Sequence, residues 1–141
     1  HAENDCSLRW ASENGHYNIV KLLLKYGANV HANDDYALRW AAEKGHYEIV
    51  RLLIEHSANI HANNDEALRW AAKHGYYNIV KLLLKYGADV HTENDFALRC
   101  AKRNNDKRMI KLLESYINKK NRNYEILQNS KPRGSSWLNI P

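Results

Sequence analysis

The chain has 141 residues, of which 44% are hydrophobic and 26% charged, with a formal net charge of +5 at neutral pH. That is enough apolar material for one folded array, and no apolar run approaches the ~18 residues that a membrane-crossing helix needs. No nucleophile elbow, phosphate loop, H-E-x-x-H or CxxC pattern occurs, so catalytic residues, a cofactor and a structural metal are not expected.

Set out in blocks of 30, the chain reads HAENDCSLRWASENGHYNIVKLLLKYGANV, HANDDYALRWAAEKGHYEIVRLLIEHSANI, HANNDEALRWAAKHGYYNIVKLLLKYGADV and HTENDFALRCAKRNNDKRMIKLLESYINKK without a gap. The first and third blocks agree at 22 of 30 positions. A fixed period of this size marks a solenoid, in which each unit packs on its neighbours alone. The reading is four repeats, 1–30, 31–60, 61–90 and 91–117, followed by a basic extension over 118–141. The chain opens inside a repeat with no initiator Met, which reads as a fragment preceded by further repeats.

Within the second block, Leu38, Ala41 and Ala42 follow the i, i+3, i+4 spacing of one helical face. This predicts a first helix over 36–43, with Asp35 as its N-cap and Gly45 as its stop. Asp5, Asp65 and Asp95 take the same place in the other blocks. A second helix is predicted from Tyr47 to His56, with Ile49, Val50, Leu52, Leu53 and Ile54 as a wide apolar face; Gly27 and Gly87 end its counterparts. The polar connector ANIHANND is too short for a third helix. The unit is helix, tight turn, helix, projecting loop.

The fourth block departs at particular positions. Where earlier blocks have Ala42, Leu24, Gly45 and Trp40, it has Lys102, Glu114, Asn105 and Cys100. A last repeat has no successor to cover it, so these changes predict a wettable C-terminal cap. Beyond it, Tyr124, Ile126 and Leu127 are expected to form a short helix laid over the cap, followed by a disordered stretch over 130–141.

The segment GHYEIVRLLIEHSANIHA resembles the second helix and connector of ankyrin repeats, commonly written G-H-x-E-I-V-x-L-L-L-x-x-G-A-D-V-N-A, and YALRWAA stands where that family has T-P-L-H-x-A-A. The resemblance implies an all-α, ankyrin-like α-solenoid of helix-turn-helix repeats. The LRWAA wording and the 30-residue spacing look most like the ankyrin arrays of giant viruses of protists. Since the usual period is 33, the projecting hairpin should be shortened. The T-P-L-H hydrogen-bonding set is absent as well; Asp35 with Arg39, and the equivalent pairs Asp5–Arg9, Asp65–Arg69 and Asp95–Arg99, are expected to replace it in part.

In ankyrin arrays the first-helix face opposite the core lines a concave groove, where the resemblance places partner contacts. Here that face carries positions that change from unit to unit: Cys6, Tyr36, Glu66, Phe96; Glu13, Glu43, Lys73, Arg103; and Asn14, Lys44, His74, Asn104. Variation on a shared scaffold means freedom from the packing rules, through either partner recognition or drift. Trp10, Trp40 and Trp70 stay fixed at the centre, as an exposed aromatic ladder or as a packing column. The candidate partner-binding set is Tyr36, Trp40, Glu43, Lys44, Glu66, Trp70, Lys73, His74, Phe96 and Arg103. The function implied is protein–protein interaction by a monomer without catalysis, the partner being viral or host.

Two alternatives stand beside it. Net charge by repeat is 0, −2 and +1, and the remaining +6 lies in residues 91–141, which makes Arg99, Lys102, Arg103, Lys107, Arg108, Lys111, Lys119, Lys120 and Arg122 a candidate nucleic-acid surface. No aromatic stacking pattern accompanies these charges. The other alternative is a structural spacer in a longer array. Cys6 and Cys100, in different repeats, lie too far apart to pair, and no N-x-[ST] sequon occurs, which favours an intracellular, cytoplasmic setting. His1, His31, His61 and His91 recur at one position; successive copies should stand ~8–10 Å apart, too far to share a zinc ion. Their position is that of an Asn hydroxylated in some ankyrin proteins, which the resemblance alone raises.

Overall fold

The computed structural model describes residues 2–130. Within them run α1 (Ala2–Glu13), α2 (Tyr17–Lys25), α3 (Ala32–Glu43), α4 (Tyr47–Glu55), α5 (Ala62–Lys73), α6 (Tyr77–Lys85), α7 (Thr92–Arg103) and α8 (Lys107–Asn129). The fold is all-α: paired helices stacked as an ankyrin-type array. Each first helix packs on the next, α1 on α3, α3 on α5 and α5 on α7, while α2, α4, α6 and α8 follow the same order with sparser contact. Residue size explains the asymmetry. First helices meet through Ala37, Ala41, Ala42, Ala67, Ala71 and Ala72, none more than 1% exposed, and such small side chains let backbones approach closely. Second helices meet through larger residues such as Ile49, Leu53, Ile79 and Leu83. A stack spaced more tightly in one layer bends toward that layer, so the first helices form its inner side.

The connector is built differently from expectation. Instead of a short hairpin, it winds through one left-handed turn: Asn33, Asp34 and Asp35 have φ of 54°, 54° and 55°, and the turn recurs at Asn63–Asn64–Asp65 and Glu93–Asn94–Asp95. Left-handed backbone costs an L-residue ~1–2 kcal/mol, and Asn and Asp visit it most readily after Gly. Eight of the nine residues in the N-D-D, N-N-D and E-N-D connectors follow that preference, and Glu93 is the exception. Right-handed helix resumes at Tyr36, Glu66 and Phe96, where the apolar spacing predicts it.

Asp35 is therefore not an N-cap of its own helix. Its carboxylate reaches into the next connector and accepts the backbone N–H of Asn59 at 2.8 Å, while Nδ1 of His31 lies 2.9 Å from the same oxygen. Asp5 accepts from Asn29 at 2.7 Å. Asp65 accepts from Asp89 at 2.7 Å and faces His61 at 3.0 Å. Asp35 and Asp65 are each only 4% exposed. The expected Asp–Arg pairs do not form either. Arg39 donates to the carbonyls of Asp34 and Asn33 at 2.9 and 3.0 Å, and Arg69 and Arg99 hold their own turns in the same way. A left-handed turn points two successive carbonyls away from the following helix, and the forked guanidinium matches both.

Gly45 combines φ of 82° with close approach: a Cβ there would meet the Tyr76 ring at 2.9 Å. Gly75 has φ of 75° and open space around it. The fourth copy is Asn105, at φ of 55°, a residue that tolerates the left-handed conformation without the missing neighbour.

The cap is wettable at Lys102 and Glu114, which are exposed, but Cys100 is not part of that change: it is 3% exposed and belongs to the interior. Among the described residues no separate helix folds over the cap. Helix α8, capped by Asp106 accepting from Met109 N at 3.1 Å, continues through residue 117 to Asn129. Tyr124, Ile126 and Leu127 are 64%, 63% and 66% exposed, because a helix that outruns its repeat has no neighbour to pack on. Of the stretch expected to be disordered, 130–141, Ser130 is the C-cap of α8; residues 131–141, like His1, lie outside the described residues.

Two stability comparisons follow by urea denaturation. Asp35→Ala should cost about 1–3 kcal/mol more than Asp95→Ala, because it alone orphans a successor's N–H while backbone strain is common to both. Gly45→Ala should destabilise more than Gly75→Ala, since positive φ is shared and only Gly45 faces a ring.

Candidate functional site

The fixed indoles occupy both of the roles open to them. Trp10 is 56% exposed, while Trp40 and Trp70 are half-buried. Trp40 stacks on Tyr36 at 5.5 Å, and Trp70 on His74 at 6.3 Å. Between Trp40 and Trp70 lies a recess lined also by Arg39, Glu43 and Glu66, with room for about 70 Å³ of solvent. Small-molecule pockets run to roughly 300–1,000 Å³. This one suits the tip of a side chain.

The position that varies as Tyr36, Glu66 and Phe96 obeys a rule invisible from variation alone. The Tyr36 ring lies between the guanidinium groups of Arg9 and Arg39, at 5.3 and 5.7 Å from its centroid. Phe96 lies between Arg69 and Arg99 at 6.0 and 5.6 Å. Glu66 answers the same cation with charge, accepting from Arg39 at 2.6 Å, from the Trp70 indole at 2.7 Å and from Asn63 at 3.2 Å. Aromatic faces and carboxylates are both good neighbours for a guanidinium. The signal was an unchanging Arg column beside a position occupied, after Cys6, only by aromatic or acidic residues.

These contacts set the ionisation of two groups. Burial first, then the hydrogen bond the Tyr36 hydroxyl donates to Glu13 at 3.1 Å, raise its pKa above the usual phenol value. Burial alone would push the Glu66 carboxyl up, but the Trp70, Arg39 and Asn63 hydrogen bonds and the Arg39 charge together outweigh it and hold it below the usual carboxylate range.

Around the recess mouth, Lys44 Nζ and His74 Nε2 each approach the Glu43 carboxylate to 3.5 Å. Lys44 and Lys73 also lie over the Trp40 and Trp70 rings, at 5.7 and 4.7 Å. Seven of the sequence candidates, Trp40, Glu43, Lys44, Glu66, Trp70, Lys73 and His74, thus gather at one place, with Tyr36 joined through Trp40. Phe96 and Arg103 belong to the fourth repeat and do not line the recess.

At the basic end, Arg99 is held by backbone carbonyls, Arg108 lies 3.6 Å over the Tyr77 ring, and Lys120 pairs with Asp89 at 3.4 Å. Lys102, Arg103, Lys107, Lys111, Lys119 and Arg122 are exposed. Among the described residues no cluster of three or more His, Cys, Asp or Glu side chains could hold a metal ion, and each of His31, His61 and His91 faces its own aspartate. No described helix is long and apolar enough to cross a membrane. Cys6 and Cys100 are free thiols.

Comparison with known families agrees with the stacking. The family described as Ankyrin repeats (3 copies) matches residues 8–94, and the chain belongs to it. This is a non-catalytic binding fold whose members generally serve in protein–protein interaction. No curated protein matches the chain as a relative.

Because Glu66 is more acidic in the folded chain than in the unfolded one, its ionisation stabilises the fold above the unfolded carboxyl value of about 4.3 and ceases to do so as pH falls through the lower, folded value. Thermal unfolding of the parent and of Glu66→Gln should therefore differ at pH 7, with the parent higher. The gap should close on acidification below about pH 4.

Proposed function

We propose that this chain binds another protein across the inner, first-helix face and the connector edge, as a monomeric adaptor of four repeats (1–117) carrying a basic extension (118–141). The observation that carries the reading is the pair of half-buried indoles, Trp40 and Trp70, presented beside a recess on a face that repeat stacking leaves open. Tryptophan and arginine are among the residues enriched in interaction hot spots. Lys44, Lys73 and His74 surround it as adaptable polar contacts and Arg103 continues the same face into the fourth repeat, whereas Tyr36, Glu66 and Phe96 serve the arginine stack as well as any partner. With the LRWAA wording and 30-residue spacing of giant-virus arrays as a guide, the partner is a viral or host-cell protein in the cytoplasm.

A second reading, nucleic-acid binding through α7 and α8, draws on the nine exposed cations there. It is weakened by the commitment of Arg99, Arg108 and Lys120 to contacts within the chain.

The test is capture from cell lysate by the parent, by a Lys73→Ala/His74→Ala/Arg103→Ala variant, and by a control with Lys21→Ala and Lys81→Ala on the outer helices. A protein retained by parent and control but lost by the inner-face variant is the expected result. Equal capture of a protein by all three rejects the inner face, and capture of nothing by any of them leaves a spacer role. Retention of DNA or RNA alone, falling steeply with salt, transfers the function to the basic end.

A further inference from the structure

We propose that the recess between Trp40 and Trp70 is a lysine subsite, which receives the ammonium end of a lysine side chain from the bound protein. The inference rests on the inner-face reading above and names the chemistry that the face selects.

Its two carboxylates differ in what they have left to offer. Glu66 is saturated by Arg39, Trp70 and Asn63. Glu43 is not: its Oε2 is covered from solvent and accepts no hydrogen bond. The nearest cation, Lys44 Nζ, stands off at 3.5 Å, beyond the 2.7–3.2 Å of a good N–H···O bond. A covered carboxylate oxygen without a donor is rare in folded proteins and asks for a partner.

The walls point to the same ligand. Indole faces attract cations through their quadrupole, and the chain's own lysines already demonstrate it, with Lys44 over Trp40 and Lys73 over Trp70. Neither supplies the missing hydrogen bond. Arg39 brings a positive charge to the lining, but Glu66 balances it at 2.6 Å. The Lys44 side chain is 46% exposed and long enough to swing outward when an incoming ammonium takes its place against Oε2. An ammonium has N–H groups for that oxygen, which a quaternary trimethylammonium lacks. A guanidinium spreads its charge over a planar fork suited to two acceptors, whereas Glu43 leaves one covered oxygen without a donor.

The test uses the full chain labelled with nitrogen-15, reading the indole N–H signals of Trp40 and Trp70. Blocked five-residue alanine peptides carrying a central lysine, norleucine, arginine or trimethyl-lysine are titrated in. Saturable shifts of both indoles are expected with the lysine peptide, at an affinity about tenfold or more above norleucine. Glu43→Gln should reduce lysine to the norleucine level, whereas Lys44→Gln, which removes a competing ammonium, should tighten lysine binding several-fold. The proposal is overturned by no shift at either indole, by norleucine, arginine or trimethyl-lysine binding as well as lysine, or by Glu43→Gln or Lys44→Gln leaving lysine binding unchanged. A protein captured on the inner face without any of these lysine effects would reject the subsite and leave the binding face intact.

Discussion

The bond from the Asp35 carboxylate to the backbone N–H of Asn59 is the contact on which the array depends. It gives a buried carboxylate a donor and a connector N–H an acceptor across the boundary between repeats. The His31 ring faces the same oxygen. Because the reach is 24 residues, from one connector to the next, the bond holds one repeat in register on its predecessor. Asp5 and Asp65 repeat it, and Asp95, with no following repeat, is the exposed member of the set.

Everything on the inner face follows from how that aspartate is presented. It sits at the end of a left-handed turn, and the turn leaves carbonyls that the Arg39, Arg69 and Arg99 side chains bind. Arginines fixed in this way stand one per repeat, and whatever lies between them must be an aromatic face or a carboxylate. Tyr36, Glu66 and Phe96 meet that requirement by different chemistry. The interior role narrows what they can do for a partner and shifts attention to their neighbours.

Those neighbours, Trp40, Trp70 and Glu43, have surface and hydrogen-bonding capacity in excess of what the stack uses. Half-covered indoles are rigid and already placed, so a ligand loses little in ordering them. The small recess between them selects by charge and size, while the exposed Lys44, Lys73 and His74 around it are free to differ without disturbing the core. Binding and stability are thus drawn from adjacent positions on one helix face.

Much of this was legible in the linear text. The 30-residue period, the Ala-lined first helices, the Leu- and Ile-rich second helices, the glycine stops and the polar changes at Lys102 and Glu114 all follow from apolar spacing and from the need of each helix pair for another like it. The errors have one physical source: local rules were carried across positions where the backbone changes hand or the neighbour is missing. Asp35 and Arg39 have the spacing of a helical pair, but Asp35 is left-handed, so its side chain leaves the helix and crosses to the next repeat. Cys100 looked like a surface substitution because it stands among polar changes in the last repeat, yet a thiol is small enough to be enclosed. The periodicity of the sequence determined which residues face inward and how the units succeed one another, since that depends only on helix geometry. Which polar groups satisfy each other, and which carboxylate is left without a donor, was decided by the tertiary structure, because those partners come from different repeats and meet only once the stack has formed.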